Sequence, residues 1–157
     1  MTDVPIPTSR IVDVDGRDPE RTPMQWDASS NAGFTTGDPW LPLGDFAGRN
    51  VRAQRDDPAS LFSLYRRLGW LRKSSPALRR GSYRTVAAPR GVFAYAREAE
   101  GERMLVALNF TRFAQVVSLG SGGAKIALST DHARDGESVD LTRVELRPDE
   151  GVVVAPA

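Results

Sequence analysis

The sequence contains no cysteine and only one histidine, His132. The absence of thiols excludes disulfides, thiolate metal ligands and cysteine nucleophiles. A single histidine without a second His or Cys at ligand spacing gives weak support for a metal site, so His132 is expected to be an ordinary loop residue. We predict that the chain holds no metal and uses no cofactor.

The sequence also lacks a large excess of charge and any long hydrophobic run. The formal net charge is +1, and the basic residues are spread along the 157-residue chain, which argues against a nucleic-acid partner. No run of about 18 apolar residues could span a membrane. The first residues lack the basic and apolar regions of a secretory signal. We therefore expect a globular, cytoplasmic protein with neither a nucleic-acid nor a membrane partner.

Residues 16–40 combine arginine, aromatic rings and turn-forming residues without a regular hydrophobic period. Disordered tracts are depleted in aromatic residues, whereas this segment contains Trp26, Phe34 and Trp40. Long loops inside compact domains are uncommon, and they often bind ligands. The segment is therefore predicted to be a long ordered loop whose large side chains need a surface, with Trp26 as its anchor.

A single amphipathic helix is predicted between residues 57 and 73. Apolar residues recur there at three- and four-residue spacing, which forms one helical face; they include Leu61, Leu64, Leu68 and Leu71. Asp57 is the expected N-cap, with Pro58 at the first helical position. The helix should end near Ser75, because Ser75 precedes a proline.

After Gly81 the hydrophobic period changes from that of a helix to that of a strand. Short β-rich runs follow at even spacing, at residues 83–86, 92–97, 104–109, 115–119, 125–128, 143–146 and 152–155. Turn signals such as Pro89-Arg90-Gly91 separate them. Short strands divided in this way predict an antiparallel sandwich with Greek-key connections.

Five stretches carry a specific resemblance. RDPERTPMQWD, NAGFTTGDPWLPL and the helix with its flanks look like the end of the catalytic barrel in the α-amylase superfamily of glycoside hydrolases. ALNFT at 107–111 and LRPDEGVVV at 146–154 are similar to strands of that family's C-terminal β-sandwich. The chain most resembles the α-glucosidase and oligo-1,6-glucosidase branch, glycoside hydrolase family 13, with trehalose synthase a near relative.

The resemblance implies an α+β fragment. Residues 1–80 would be the C-terminal remnant of a (β/α)8 TIM barrel, with the loop after strand eight followed by helix eight. Residues 81–157 would be the C-terminal β-sandwich domain. The leucine face of the helix would then turn toward a barrel that this chain does not contain. We expect residues 1–80 to be poorly ordered when they are alone.

The family's catalytic groups are an aspartate nucleophile, a glutamate acid/base and a second aspartate, all on barrel segments that this chain does not match. Retaining hydrolysis needs two carboxyl groups about 5 to 5.5 Å apart. The close carboxylate pairs available here are better explained as turn formers, helix caps and hairpin tips; they are Asp13 with Asp15, Asp56 with Asp57, Glu98 with Glu100, and Asp149 with Glu150. We therefore predict no catalytic residue in this chain.

Arg21, the arginine of RTPMQWD, is the one residue for which the resemblance implies substrate binding. In the resembled enzymes this arginine donates hydrogen bonds to the hydroxyls of the non-reducing terminal glucose, a task suited to its planar fork of donors. From spacing alone, a structural ion pair with Asp18, Asp27 or a barrel carboxylate is the favoured explanation. The motif match reverses that preference for the intact enzyme.

Four functional interpretations remain open. The chain could be the C-terminal segment of an α-glucosidase that acts on oligosaccharides with a non-reducing terminal glucose, inactive alone because the catalytic barrel is missing. It could instead be a carbohydrate-binding or accessory module, a subunit that completes a separately encoded barrel, or a segment of a trehalose synthase.

Overall fold

The computed structural model describes residues 18–157, and the chain divides after Ser63 into two compact units. The predicted domain boundary between residues 80 and 81 is a different division and stays a prediction. Asp13 and Asp15 lie outside the described residues.

The described part of the first unit is dominated by loops. It contains two short 3-10 helices, Asp18–Arg21 and Ser30–Gly33, and one helix, α1, at Val51–Arg55. Asn50 caps α1, since its side-chain oxygen accepts a hydrogen bond from the Ala53 amide at 2.9 Å. No β-strand occurs within residues 18–63, as the sequence predicts for a loop segment.

The amphipathic helix α2 spans Leu61–Ser74, so it begins three residues later than predicted. Asp57 is not its N-cap: the Asp57 carboxylate accepts the Ala59 amide at 2.9 Å and forms a turn of its own. The Ser60 hydroxyl instead accepts the Ser63 amide at 3.1 Å. The predicted end near Ser75 is confirmed, because Ser75 caps the next helix, α3, at Pro76–Arg80.

The second unit is built on antiparallel strands. Their bounds are β1 Ser82–Val86, β2 Val92–Ala99, β3 Glu102–Asn109, β4 Gln115–Val117, β5 Gly123–Ser129, β6 Ser138–Asp140, β7 Val144–Leu146 and β8 Gly151–Pro156. Six strands form one sheet in the order β1-β2-β3-β8-β5-β6, and β4 pairs with β7. The seven predicted strands are confirmed. The short β6 was missed, because three residues with one apolar side chain give no clear alternation.

Two apolar clusters lie on opposite faces of the six-stranded sheet, because successive side chains of a strand alternate between faces. Leu105 and Ala107 of β3 join the cluster shared with the β4–β7 pair. Met104 and Val106 join the second cluster. Each cluster removes a continuous apolar surface from water, which is the main stabilising contribution to such a fold.

The helices α2 and α3 cover part of the second cluster. Leu64 and Leu71 of α2 pack on it, together with Leu78 of α3. The expectation that the whole leucine face turns toward an absent barrel is therefore wrong for Leu64 and Leu71, because the sheet of this chain already provides their partner surface. Leu68 of the same helix keeps more than a third of its surface exposed.

A buried ionic network fixes the turn between β7 and β8. Arg134 Nη1 donates to Glu150 Oε2 at 2.7 Å, and both side chains are almost fully buried. Glu150 also accepts the Ser129 hydroxyl at 2.6 Å and the Arg147 amide at 2.7 Å. Hydrogen bonds to Glu137 and the charge of Glu150 raise the pKa of the Arg134 guanidinium. Neighbouring residues thus supply hydrogen-bond partners for the charged groups of both Arg134 and Glu150.

Candidate functional site

Arg21 ends the 3-10 helix Asp18–Arg21, and its side chain is exposed. Within the part of the chain that the structure describes, no hydrogen bond or ion pair engages its guanidinium. Asp27, one of the partners considered for it, instead faces Arg52, with 3.5 Å between Arg52 Nη2 and Asp27 Oδ2. The side chain of Asp18 lies outside the described side chains. Arg21 therefore presents five donors on the surface of the loop.

The loop that follows Arg21 is held by the Asp27 carboxylate. Its Oδ1 accepts the Ser29 amide at 2.9 Å and also the Ser29 hydroxyl. These hydrogen bonds from Ser29 hold the pKa of the Asp27 carboxyl below its ordinary value, and the charge of Arg52 adds to the effect. Asp27 is therefore a turn-forming residue.

Three consecutive left-handed residues close this loop. Asn31, Ala32 and Gly33 have φ angles of 54°, 56° and 66°. The Ala32 carbonyl accepts the amides of Trp26 and Asp27, at 2.9 and 3.2 Å. A Cβ at position 33 would lie 2.8 Å from Asp27 Oδ1, so glycine is required there for space as well as for conformation.

Backbone hydrogen bonds join the RTPMQWD segment, residues 21–27, to the first turn of α1. The Val51 amide donates to the Gln25 carbonyl at 2.9 Å, and the Arg52 amide donates to the Trp26 carbonyl at 3.0 Å. These bonds use two of the amides that a helix N-terminus leaves unsatisfied. The segment is therefore fixed by its backbone only four to five residues after Arg21.

The large side chains of the loop are less buried than the sequence suggested. Trp26 and Phe34 are half-exposed, and Trp40 is mostly exposed. The anchoring of the loop at Trp26 thus comes from its backbone groups and not from burial of the indole. Trp40 also borders an open depression formed by residues 39–44 and Phe46.

In each carboxylate pair that the structure describes, at least one member has a structural partner. Glu98 lies 3.1 Å from Arg103, and Glu100 contacts Arg80. Glu150 belongs to the buried network, and Asp57 forms the turn before α2. That the catalytic carboxylates lie outside this chain stays a prediction.

His132 lies in a short 3-10 helix, His132–Arg134, and is half-buried. Among residues 18–157, no group of three or more His, Cys, Asp or Glu side chains is arranged to hold a metal ion. No helix in that part of the chain has the length and apolar character needed to cross a membrane.

Sequence reasoning missed the Arg134–Glu150 pair. The two residues are sixteen positions apart and each is flanked by other charged residues, so neither stands out in the sequence. The signal that the sequence offered was the unusual LRPDEG turn before β8. In the structure, Glu150 of this turn follows Asp149, which has a left-handed φ of 53°.

Comparison with known proteins gives matches along both units. The profile of the family described as "Alpha amylase, catalytic domain" matches residues 5–81. The chain is 36% identical over 151 residues to trehalose-6-phosphate hydrolase of Bacillus subtilis, covering 91% of this chain and 26% of that enzyme. It is 36% identical over 138 residues to oligo-1,6-glucosidase of Parageobacillus thermoglucosidasius, covering 85% of this chain and 24% of that enzyme.

A solved structure gives the same result. The trehalulose synthase MutB from Pseudomonas mesoacidophila MX-45 superposes with a TM-score of 0.79 and 35% identity, covering 89% of this chain and 26% of that one. The chain therefore spans about a quarter of the length of these relatives. The resemblance predicted from the RTPMQWD segment is confirmed: this chain belongs to the α-amylase family, glycoside hydrolase family 13, and matches the C-terminal part of its members.

Proposed function

We propose that the chain serves as the C-terminal segment of an α-glucosidase that cleaves terminal α-glucosidic bonds of oligosaccharides with retention of configuration. The observation that carries this proposal is Arg21: it is exposed, it has no partner among the described residues, and it lies just before a loop that is fixed at Gln25 and Trp26. In the family this loop reaches the glucose subsite. The relatives named oligo-1,6-glucosidase and trehalose-6-phosphate hydrolase support this choice of bond type.

The proposed role of Arg21 follows from its chemistry. A guanidinium holds five N–H donors in one plane, which suits two neighbouring hydroxyls of a pyranose. It stays charged at every relevant pH and does not act as a proton donor. Arg21 would therefore bind and orient the terminal glucose, while proton transfer and covalent catalysis would fall to two carboxyl groups about 5 to 5.5 Å apart on the rest of the enzyme.

The second unit has a supporting role in this proposal. We take its two sheets to be the family's C-terminal Greek-key sandwich, because they enclose one shared apolar cluster and because β8 returns between β3 and β5. The proposed location of the protein remains cytoplasmic.

The first experiment compares the chain alone with a complete enzyme. Purified 157-residue protein should not hydrolyse an aryl α-glucoside, because it would lack the reacting carboxylates. The same chain joined behind the barrel portion of the Parageobacillus oligo-1,6-glucosidase, in place of that enzyme's own C-terminal part, should hydrolyse it. Specific hydrolysis by the chain alone would contradict the proposal, and so would a folded but inactive fusion.

Arg21 is tested in the fusion. Loss of a hydrogen bond from a charged group is worth about 1.5–3 kcal/mol, so Arg21→Ala should lower kcat/KM about 10- to 150-fold. Arg55→Ala, which removes another exposed arginine of the same unit, is the matched control and should change kcat/KM less than about twofold. Equal effects of the two substitutions would show that Arg21 does not bind substrate.

The alternative function is a transglucosylation or isomerisation reaction. The 35% identity to the trehalulose synthase MutB supports this alternative. The fusion distinguishes the two reactions when it is given sucrose or an α-linked disaccharide. Free glucose as the main product supports hydrolysis. An isomeric disaccharide formed without free glucose would replace hydrolysis by isomerisation in the proposal.

A further inference from the structure

Trp26 and Asp27 are held by hydrogen bonds on both sides of the chain. Their two N–H groups donate to the Ala32 carbonyl, at 2.9 and 3.2 Å. On the other side, the Trp26 carbonyl accepts the Arg52 amide of α1 at 3.0 Å. The left-handed turn at residues 31–33 and the helix α1, which are separated in the sequence, therefore meet at this dipeptide.

The Asp27 carboxylate holds the left-handed turn in place. Its Oδ1 accepts both the amide and the hydroxyl of Ser29, which fixes the entry to the turn. A Cβ on Gly33, the last residue of the turn, would lie 2.8 Å from the same oxygen, so the turn closes directly against the carboxylate. The Arg52 side chain, 3.5 Å from Oδ2, is 80% exposed and contributes little. The hydrogen bonds from Ser29 are therefore the main hold on the turn.

The turn is strained, which marks it as a built feature of the loop. Asn31 and Ala32 have left-handed φ angles of 54° and 56°, and Ala32 is fully buried. Residues other than glycine keep such angles only where the surrounding structure enforces them, and they cluster at ligand-binding sites. Asn31 Nδ2 adds a hydrogen bond to the Gly37 carbonyl at 2.8 Å. The strain is thus maintained by contacts at the start of the turn and beyond its end.

The four residues between Arg21 and Trp26 leave the chain little freedom. Pro23 fixes its own φ angle and is buried. A proline also restricts the residue before it, here Thr22. Gln25 is held through its carbonyl, which accepts an amide of α1 at 2.9 Å. A displacement of the chain at Trp26 would therefore be carried to Arg21.

We propose that Asp27 is a positioning residue for the terminal glucose: its carboxylate holds the left-handed turn against Trp26, and this fixes the direction of Arg21. The inference rests on the proposed function, in which Arg21 binds the sugar. Asp27 does not touch the substrate and acts through the position of Arg21. Its removal should therefore matter only while the Arg21 side chain is present.

A double-mutant cycle tests this dependence in the fusion to the Parageobacillus barrel portion. The unmodified fusion, Arg21→Ala, Asp27→Ala and the variant with both substitutions are compared. The measurements are kcat/KM for an aryl α-glucoside and, by titration calorimetry, the binding of deoxynojirimycin, a glucose-shaped amine. Circular dichroism confirms that each variant folds.

Asp27→Ala should lower kcat/KM about 3- to 30-fold while Arg21 is present, because a small displacement of a binding group misaligns the substrate. In the Arg21→Ala background the same substitution should change kcat/KM less than about twofold. The affinity for deoxynojirimycin should follow the same pattern. Equal losses in both backgrounds would overturn the proposal, because a merely structural role for Asp27 does not depend on Arg21.

Two further variants test the turn itself. Asp27→Asn keeps an oxygen for the Ser29 hydrogen bonds and removes only the charge that faces the exposed Arg52, so kcat/KM should stay within about threefold of the unmodified fusion. Gly33→Ala disturbs the turn from its other end and should reproduce the loss caused by Asp27→Ala. If Asp27→Ala does not fold, Gly33→Ala with and without Arg21 completes the cycle. A Gly33→Ala loss that is independent of Arg21 would contradict the proposal.

Asp57→Ala is the matched control. The Asp57 carboxylate accepts the amide two residues later at 2.9 Å, as the Asp27 carboxylate does, but its turn precedes α2 and lies outside the RTPMQWD segment. This substitution should change kcat/KM less than about twofold. A loss as large as that of Asp27→Ala would show that any turn in the first unit has this effect, and would remove the specific role of Asp27.

Turnover and binding separate the two proposals. An active fusion in which the losses are equal in both backgrounds would keep the proposed function and remove the role of Asp27. An inactive fusion that binds deoxynojirimycin with the expected dependence on Arg21 would keep the role of Asp27 and remove the hydrolysis. A folded fusion that neither hydrolyses nor binds would remove both.

Discussion

The two units of this chain hold their shape by different means. In the described part of the first unit, the hydrogen bonds mostly join residues close in sequence, such as Trp26 with Ala32 and Asn50 with Ala53. The second unit joins strands that are far apart in sequence, for example β3 with β8, and buries two apolar clusters. Short-range turns position exposed side chains without needing a core, whereas the sheet is the part that resists unfolding.

Removing one partner of the buried ion pair should have the largest effect on the second unit. Glu150→Ala removes the buried carboxylate that accepts from Arg134, the Ser129 hydroxyl and the Arg147 amide, and leaves Arg134 paired only with Glu137, so the free energy of unfolding should fall by about 3–5 kcal/mol. Urea unfolding followed by circular dichroism measures it. Glu145→Ala breaks the exposed pair with Arg143 and should lower the same quantity by no more than about 1 kcal/mol. A similar small effect for both would mean that burial does not strengthen the pair.

The next test introduces a cavity into the apolar cluster that the two sheets share. Leu105 is fully buried between the two sheets, so Leu105→Ala should lower the free energy of unfolding by about 2–5 kcal/mol. Val116→Ala, on the exposed side of β4, serves as the control in the same urea series. If the two substitutions destabilise equally, the cluster shared by the sheets is not the core of this unit.

The first unit should respond to a backbone change that leaves the second unit untouched. Gly33→Ala forces an alanine into a left-handed conformation beside Asp27, which should destabilise the local turn by about 1–2 kcal/mol. Amide hydrogen exchange at Trp26 and Asp27 should become faster, while exchange in β3 and β8 stays unchanged. Faster exchange throughout the sheet would show that the two units are coupled.

The smallest expected effect is the pH dependence of two turns that aspartate carboxylates hold by hydrogen bonds, one turn in each unit. Hydrogen bonds lower the pKa of Asp27 through Ser29 and the pKa of Asp140 through Thr142. Because the folded pKa is depressed, the stabilisation is complete above the ordinary value of about 3.9 and is lost as the pH falls through the folded pKa. NMR shifts of the Ser29 and Thr142 amides should titrate below that value. Asp27→Asn should abolish the titration at Ser29 only, and a midpoint above 3.9 would contradict the assignment.

The strands could be predicted well from the sequence because turn-forming residues mark the turns between them. Gly91, for example, has a φ angle of 85° and lies in the predicted Pro89-Arg90-Gly91 turn. The N-cap of α2 was misplaced for the opposite reason, since Asp57-Pro58 and Ser60 are both plausible starts. The hydrogen bonds from the Ser60 hydroxyl to the Gln54 and Asp57 carbonyls, which the sequence does not reveal, decide between them.

The candidate site was less predictable from physical patterns. Arg21 is one exposed arginine among many, and it gains significance only from the RTPMQWD motif. The Arg134–Glu150 pair depends on strand order, which places distant residues together. Periodicity reports which face of a strand is buried, but it does not report which strand lies next to it.

The position of β8 has a consequence for how the protein is made. This strand lies between β3 and β5, yet it is synthesised after every other strand of the sheet. Until residues 151–156 leave the ribosome, β3 and β5 each keep an unpaired edge, and no backbone hydrogen bonds join the two halves of the sheet. Unpaired edges of this kind favour aggregation and chaperone binding. Folding of the second unit should therefore wait for β8, and a chain interrupted before Gly151 should be an early target for degradation.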